Sequence, residues 1–224
     1  MSSTARSVLT DLHMHTRHSW DCTTAIDDLL DAALAAGLGA IAVTDHNTIA
    51  GGVEARARAI ERALPLHVVV GSEIKTAGDG EIIGLFLHDE VAHGLTFGET
   101  IERIREQSGL VYVPHPFDRF HTTPEEALLL EHVASVDVLE TANARLWLER
   151  DNRRAERFAS EHGLRRGAGS DAHVPEGIGT AALRLATFDD PVSFLAALDD
   201  AEIVREPRSM VRLQVAKRRR QRSR

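Results

Sequence analysis

Five short segments of this 224-residue chain gather histidines and carboxylates: LHMH at 12–15, VTDH at 43–46, VGSE at 70–73, VPHP at 113–116 and AGSDAH at 168–173. Imidazole and carboxylate together suit Zn²⁺, Mn²⁺ or Fe²⁺, and with Cys22 as the single cysteine a thiolate site is excluded. His13 and His15 stand two residues apart, so on a strand both point to one face and can grip one ion. Asp171 and His173 repeat that spacing near the other end of the chain. Glu73, after the run VVVGS, is placed to bridge two cations; ions roughly 3.5–4 Å apart can hold a hydroxide between them and polarise a phosphoryl oxygen. One HxH pair is a weak signal, because paired surface histidines are common. Five clusters in one register are a strong one.

The register comes from the elements around them. Each cluster directly follows a short apolar run, and these runs alternate with amphipathic stretches of helical length. Strands are expected at Val8–Leu12, Ala40–Val43, Val68–Val70, Ile82–Leu87, Leu110–Val113, Val136–Leu139, Leu164–Gly169 and Ala182–Ala186. Helices are expected at Ala25–Ala36, capped by Thr24, and at Val53–Ala63, Thr100–Gln107, Pro124–Leu130, Arg145–His162 and Pro191–Leu198. Such alternation predicts a parallel α/β sheet, and six or seven units in one domain point to barrel-like closure. In α/β barrels the C-terminal strand ends face one pocket, so ligands distant in sequence converge there.

Composition sets the outer bounds. A chain of this length fits one large domain, taken here as residues 1–206, with no need of a disulfide. The net charge is −8 although six of the last eight residues are basic, so the body is more acidic still. An acidic body argues against a broad nucleic-acid-binding face. Residues 207–224 are expected to form a flexible, solvated basic tail. No signal peptide or membrane span is evident, and a single cysteine suits a reducing cytosol, so a cytoplasmic protein is expected.

DLHMHTRHSWD, AVTDHN, VGSEI, VPHPFDR and GSDAH, in this order and at about this spacing, resemble the PHP (polymerase and histidinol phosphatase) family of metal-dependent phosphoesterases. The resemblance covers residues 9 to 173 and extends in outline to about residue 206. It implies a distorted (β/α)₇ TIM-like barrel with two or three divalent ions, Zn, Mn or Fe, at the strand C-termini. By that resemblance His13 and His15 bind a first metal with Glu73 and Asp171. Glu73 bridges to a second metal with His115, and Asp21, His46 and His173 hold a third. Asp21 lies where some members carry a histidine. Glu81 stands where many small-molecule phosphatases of the family have one, and this leaves the metal count open.

Phosphate recognition calls for nearby cations, and Arg119, Lys75 and Arg145 are the candidates, an arginine fork being suited to bidentate contact. Asp45 is a candidate to orient a ligand imidazole, with Glu140 and Asn143 as weaker pocket residues. Trp20 and Phe117 flank the site and are open to stacking or packing roles. The expected reaction is hydrolysis of a small phosphate monoester, such as a nucleotide, by a metal-activated water, with Glu73, Asp171 and Arg119 as the catalytic residues. A nuclease acting on short oligonucleotides, an amidohydrolase-type C–N hydrolase and a non-catalytic metal-binding module are the alternatives. Nothing in the sequence assigns an oligomeric state.

Overall fold

The computed structural model describes residues 7–118, 122–206 and 210–222. In chain order the elements are β1 (Ser7–Asp11), α1 (Ile26–Ala35), β2 (Ala40–Val43), α2 (Ala50–Glu61), β3 (His67–Lys75), β4 (Glu81–Leu85) and α3 (Phe97–Glu106). There follow β5 (Leu110–Val113), α4 (Glu126–Glu131), β6 (Val138–Asn143), α5 (Glu149–His162), β7 (Arg165–Gly169), β8 (Ala181–Ala186), α6 (Pro191–Leu198), β9 (Glu202–Arg205) and α7 (Met210–Arg222).

The strands form one sheet in the order β7-β6-β5-β4-β3-β2-β1-β8-β9. β1 closes it into a barrel by changing partners along its length. Ser7 to Thr10 pair with β8, and Thr10 and Asp11 pair with β2. The residues just beyond it meet the end of β7: the Leu12 N–H donates to the Ala168 carbonyl at 3.2 Å, and the Asp171 N–H donates to that of His13 at 2.8 Å. Leu12, just past β1, packs in one buried cluster with Ala42, Val69, Ile83, Tyr112, Val138 and Ala168, one from each of β2 to β7. The expected distorted (β/α)₇ TIM-like barrel is what the chain adopts, as a single domain.

The distortion lies at β4, which runs antiparallel to both β3 and β5. Its first residue therefore stands beside the last of β3, with Glu81 opposite Lys75. That reversal is what brings Glu81 to the same barrel mouth as Glu73.

Local chemistry explains most boundaries. Thr96 and Glu99 form a reciprocal capping box that starts α3 three residues earlier than hydrophobic periodicity alone suggests. Gly163, left-handed at φ 66°, ends α5, as a helix followed by glycine should. Thr24 does not cap α1: Ala25 holds the cap position, and the Thr24 hydroxyl donates instead to the His173 carbonyl. β3 is longer than its valine run because it continues through Gly71–Lys75 to pair with β4. Two elements were not anticipated. β9 extends the sheet beside β8, and α7 occupies the stretch expected as flexible tail. Among the described residues no helix is long and apolar enough to cross a membrane.

Candidate metal centre

The strand ends bring His13, His15, Asp21, His46, Glu73, Glu81, His115, Asp171 and His173 to one mouth of the barrel. Its cavity, of about 250 Å³, is lined by Asp21, His46, Glu73, Glu81, His115 and Asp171 among others. His13 and His15 are buried, with their Nε2 atoms facing each other at 3.2 Å. Glu73 Oε2 lies 3.5 Å from both nitrogens, and Asp171 Oδ1 lies 3.4 Å from that of His15 and 3.9 Å from that of His13.

What the far side of each ring does decides how this cluster reads. His13 Nδ1 faces Glu140 Oε1 at 3.2 Å, and His15 Nδ1 faces Ser19 Oγ at 3.2 Å. Ser19 spends its own proton on Asp45 Oδ1 at 2.6 Å, so its oxygen accepts from His15 Nδ1–H. In the neutral imidazoles this leaves both Nε2 lone pairs aimed into the space where the two carboxylates also point. Four lone-pair donors converging in a buried place repel one another unless a cation or protons lie among them. The donor set fits divalent metal of the Zn, Mn or Fe kind.

Three other groups of donors, each with ligand atoms within 4.8 Å of one another, adjoin this one: Glu73, Glu81 and His115; His13, His115 and Asp171; and His15, His46 and His173. His115 Nε2 is 3.0 Å from Glu73 Oε1 and 4.0 Å from Glu81 Oε2. His46 Nδ1 is 3.1 Å from Glu73 Oε2, and Asp21 Oδ2 is 2.9 Å from His173 Nε2. Glu73 thus touches His13, His15, His46 and His115, which suits the bridging position expected of it.

Protons and metal ions answer the same electrostatic demand. Burial alone would lower the His13 imidazole, but Glu73, Glu140 and Asp171 hold it well above the usual range. His115 is likewise depressed by burial, yet its bond to Glu73 carries it up to about 9. Burial and the neighbouring Glu73 charge push Glu81 up to about 7. Asp171, which burial would raise, is held well below the carboxylate range by Arg145 and His13.

Strain marks the same strand ends. His115 and Asp171 adopt left-handed backbone at φ 29° and 50°, a conformation that costs a non-glycine residue about 1–3 kcal/mol. Gly169 is required for a different reason, since a Cβ there would lie 2.3 Å from that of His13 and 2.6 Å from Glu140 Oε1.

The other sequence candidates divide. Arg145 lines the cavity, but its Nη1 donates to Asp171 Oδ1 at 3.1 Å and lies 3.2 Å from His173 Nδ1, so it is engaged with the donor set itself. Lys75 is exposed and does not line the cavity, although its register partner Glu81 does. Arg119 lies outside the described residues. Among the described residues Asp45 touches no imidazole directly; it holds Thr16 and Ser19, and Ser19 carries the effect to His15. Ser19 was missed, and its position four residues after His15 was the available signal. Glu140 proves central: it meets His13, the Tyr112 hydroxyl at 2.8 Å, the His115 N–H at 2.6 Å and Asn143 at 2.9 Å. Phe117 is buried against Phe158, whereas Trp20 is 84% exposed at the lip of the cavity and stacks on His46. Cys22 is buried, which pushes its thiol up and leaves it no nucleophile.

A family model described as PHP domain matches residues 11–153, and one described as PHP-associated matches residues 149–203. The chain belongs to the PHP family. An uncharacterized protein of Methanocaldococcus jannaschii, MJ1587, is 44% identical over 117 residues, covering 48% of this chain and 67% of its own. The 5'-3' exoribonuclease Rnm of Escherichia coli is 31% identical over 115 residues, covering 50% of this chain but only 39% of its own. A solved two-domain Bacteroides vulgatus protein containing a predicted PHP-like metal-dependent phosphoesterase superposes with a TM-score of 0.71 at 20% identity, over 91% of this chain and 66% of that one. At that identity the likeness bears on the fold. Membership of the PHP family places the chain among metal-dependent phosphoesterases.

Proposed function

We propose that this PHP protein is a phosphatase that releases phosphate from a small phosphomonoester, a nucleotide or similar metabolite. The observation that carries the reading is the convergence of His13, His15, Glu73 and Asp171, their lone pairs turned inward by Glu140 and by Ser19 with Asp45. Those four residues would hold one divalent ion, and Glu73, Glu81 and His115 a second. Asp21, His46 and His173 are the remaining candidate ligands. Divalent ions bound there supply charge to the non-bridging phosphate oxygens and lower the pKa of water toward neutrality.

The chain's own residues supply the rest. Glu73 and Asp171 set the charge of the floor. Arg145, at the wall, is the described cation best placed to receive a phosphate oxygen while staying tied to Asp171. Arg119 remains a candidate for the same work. A cavity of about 250 Å³, near the small end of small-molecule sites, favours a compact metabolite over a polymer. Trp20 offers an aromatic face at the lip and favours a substrate with a ring.

A nuclease reading has one specific observation behind it, the similarity to the Escherichia coli exoribonuclease over half of this chain. An amidohydrolase that bridges its metals by a strand lysine is disfavoured, because Lys75 is exposed. The test is phosphate release by metal-loaded protein from a panel of nucleotides, sugar phosphates and an aryl phosphate, alongside 5'-labelled oligonucleotides. Turnover of monoesters alone is expected. Cleavage confined to oligonucleotides would replace the phosphatase reading with the nuclease one, and no turnover of either would end both.

A further inference from the structure

The third group of donors already has a cation, and it comes from α7. Lys217 Nζ donates to Asp21 Oδ2 at 2.8 Å, the oxygen that also faces His173 Nε2 at 2.9 Å. Both side chains of the pair are largely withdrawn from water, at 14% and 12% exposure. Lys217 shares one face of α7 with Leu213 and Arg220, at helical spacings of four and three. Leu213 lines a second cavity with Ala172, Val174 and Gly177, and Arg220 Nη2 donates to Glu176 at 3.1 Å. The helix is therefore seated on the barrel mouth by the Leu213 contact and by ion pairs of Lys217 with Asp21 and of Arg220 with Glu176 and Asp28, the lysine lying between the other two side chains.

Arg145 adds a second positive charge against the same histidine, 3.2 Å from His173 Nδ1. Arg145 also donates to Asp171 Oδ1, so the contrast lies with Lys217 and with the two glutamates. Among the described residues Glu73 and Glu81 have imidazole partners and no lysine or arginine. A divalent ion placed among His15, His46 and His173 would sit beside an ammonium and a guanidinium in a poorly solvated place, where like charges repel strongly.

We propose that Lys217 serves the third subsite with its own charge, so that the chain holds two divalent ions rather than three. The inference rests on the reading of this mouth as a metal centre. Lys217 is then a positioning residue: it holds Asp21 toward His173 and excludes a third ion.

The test counts metal, with no substrate present. Full-length protein is loaded with Mn²⁺, freed of excess ion by gel filtration and analysed for metal per chain. Two equivalents are expected for the native protein and for Lys217→Arg, which keeps the charge. Three are expected for Lys217→Met, with the third equivalent bound about tenfold or more tightly than in the native protein. Dislodging of α7 by that substitution would open the same subsite and give the same count. Three equivalents in the native protein, two in Lys217→Met, or three in Lys217→Arg would each overturn the proposal. Because the count needs no turnover, a phosphatase panel that fails leaves it standing, and a wrong count leaves the phosphatase reading intact.

Discussion

The floor of the site and its rim are built by different means. On the floor, His13, His15, Glu73 and Asp171 are buried, and the outer nitrogen of each imidazole is held by Glu140 or by Ser19. Their positions follow from backbone: the closure of β1 on β7, and a glycine at 169 that lets the strands approach. On the rim, Asp21, His46 and Glu81 are 12–15% exposed and depend on side-chain pairing, Asp21 with His46, His173 and Lys217, and Glu81 with His115. A floor set by the main chain can hold donors that repel one another. A rim set by ion pairs is adjustable.

Breaking the floor should have the largest effect. His13→Ala and Asp171→Asn are each expected to lower phosphate release by about 10³-fold or more, some 4 kcal/mol of barrier, with the circular dichroism spectrum unchanged. Activity kept in both would dissolve the distinction between floor and rim. Glu140→Gln, which touches no expected ion, should weaken the tightest metal equivalent by about 10–100-fold in a calorimetric titration. An unchanged titration would show that the orientation of His13 does not depend on Glu140.

Acid–base behaviour sharpens the comparison further. In chelated protein His13 and His115 hold their protons above the imidazole range, despite burial, because of Glu73 and its neighbours, His115 up to about 9. His46 is raised in the same sense. An unfolded chain loses these protons near pH 6.5, so their stabilisation is complete below that pH and disappears as pH rises toward 9. The melting temperature in chelator should fall across that window, and bound divalent ions should remove the fall. A rise in chelator would contradict the electrostatics of the floor. His15 and His173, which burial lowers, act in the opposite direction only below about pH 6.5.

The smallest effect is a control far from both regions. Thr96→Ala removes the α3 capping box and should cost about 1 kcal/mol in denaturant melts without altering metal binding. A change in metal count there would mean that global stability, rather than local geometry, governs the mouth.

Much of this was legible before any fold was known. HxH and DxH report shared faces through strand periodicity alone, and the strand-end register of five clusters implies convergence once a barrel is inferred. Glu140 was visible only as a weak candidate, because a single carboxylate in ETANAR carries no spacing signal. Thr24 shows the limit from the other side: a residue of capping type next to a helix was drawn instead to the His173 carbonyl. Lys75 shared a strand face with Glu73 but not its cavity, since strand periodicity fixes facing and not burial.

What the sequence determined by itself was the kind of chemistry: imidazoles and carboxylates at two-residue spacing, one cysteine, and strands short enough to end in a common mouth. Tertiary structure decided which nitrogen of each imidazole is left for an ion, that Glu81 reaches the mouth through an antiparallel β4, and that a basic tail folds as α7 to place Lys217 on Asp21. The physical reason is range. Side-chain facing is fixed by dihedral periodicity over a few residues, whereas hydrogen-bond partnership and charge pairing join residues as far apart as Asp21 and Lys217, and only chain closure brings those together.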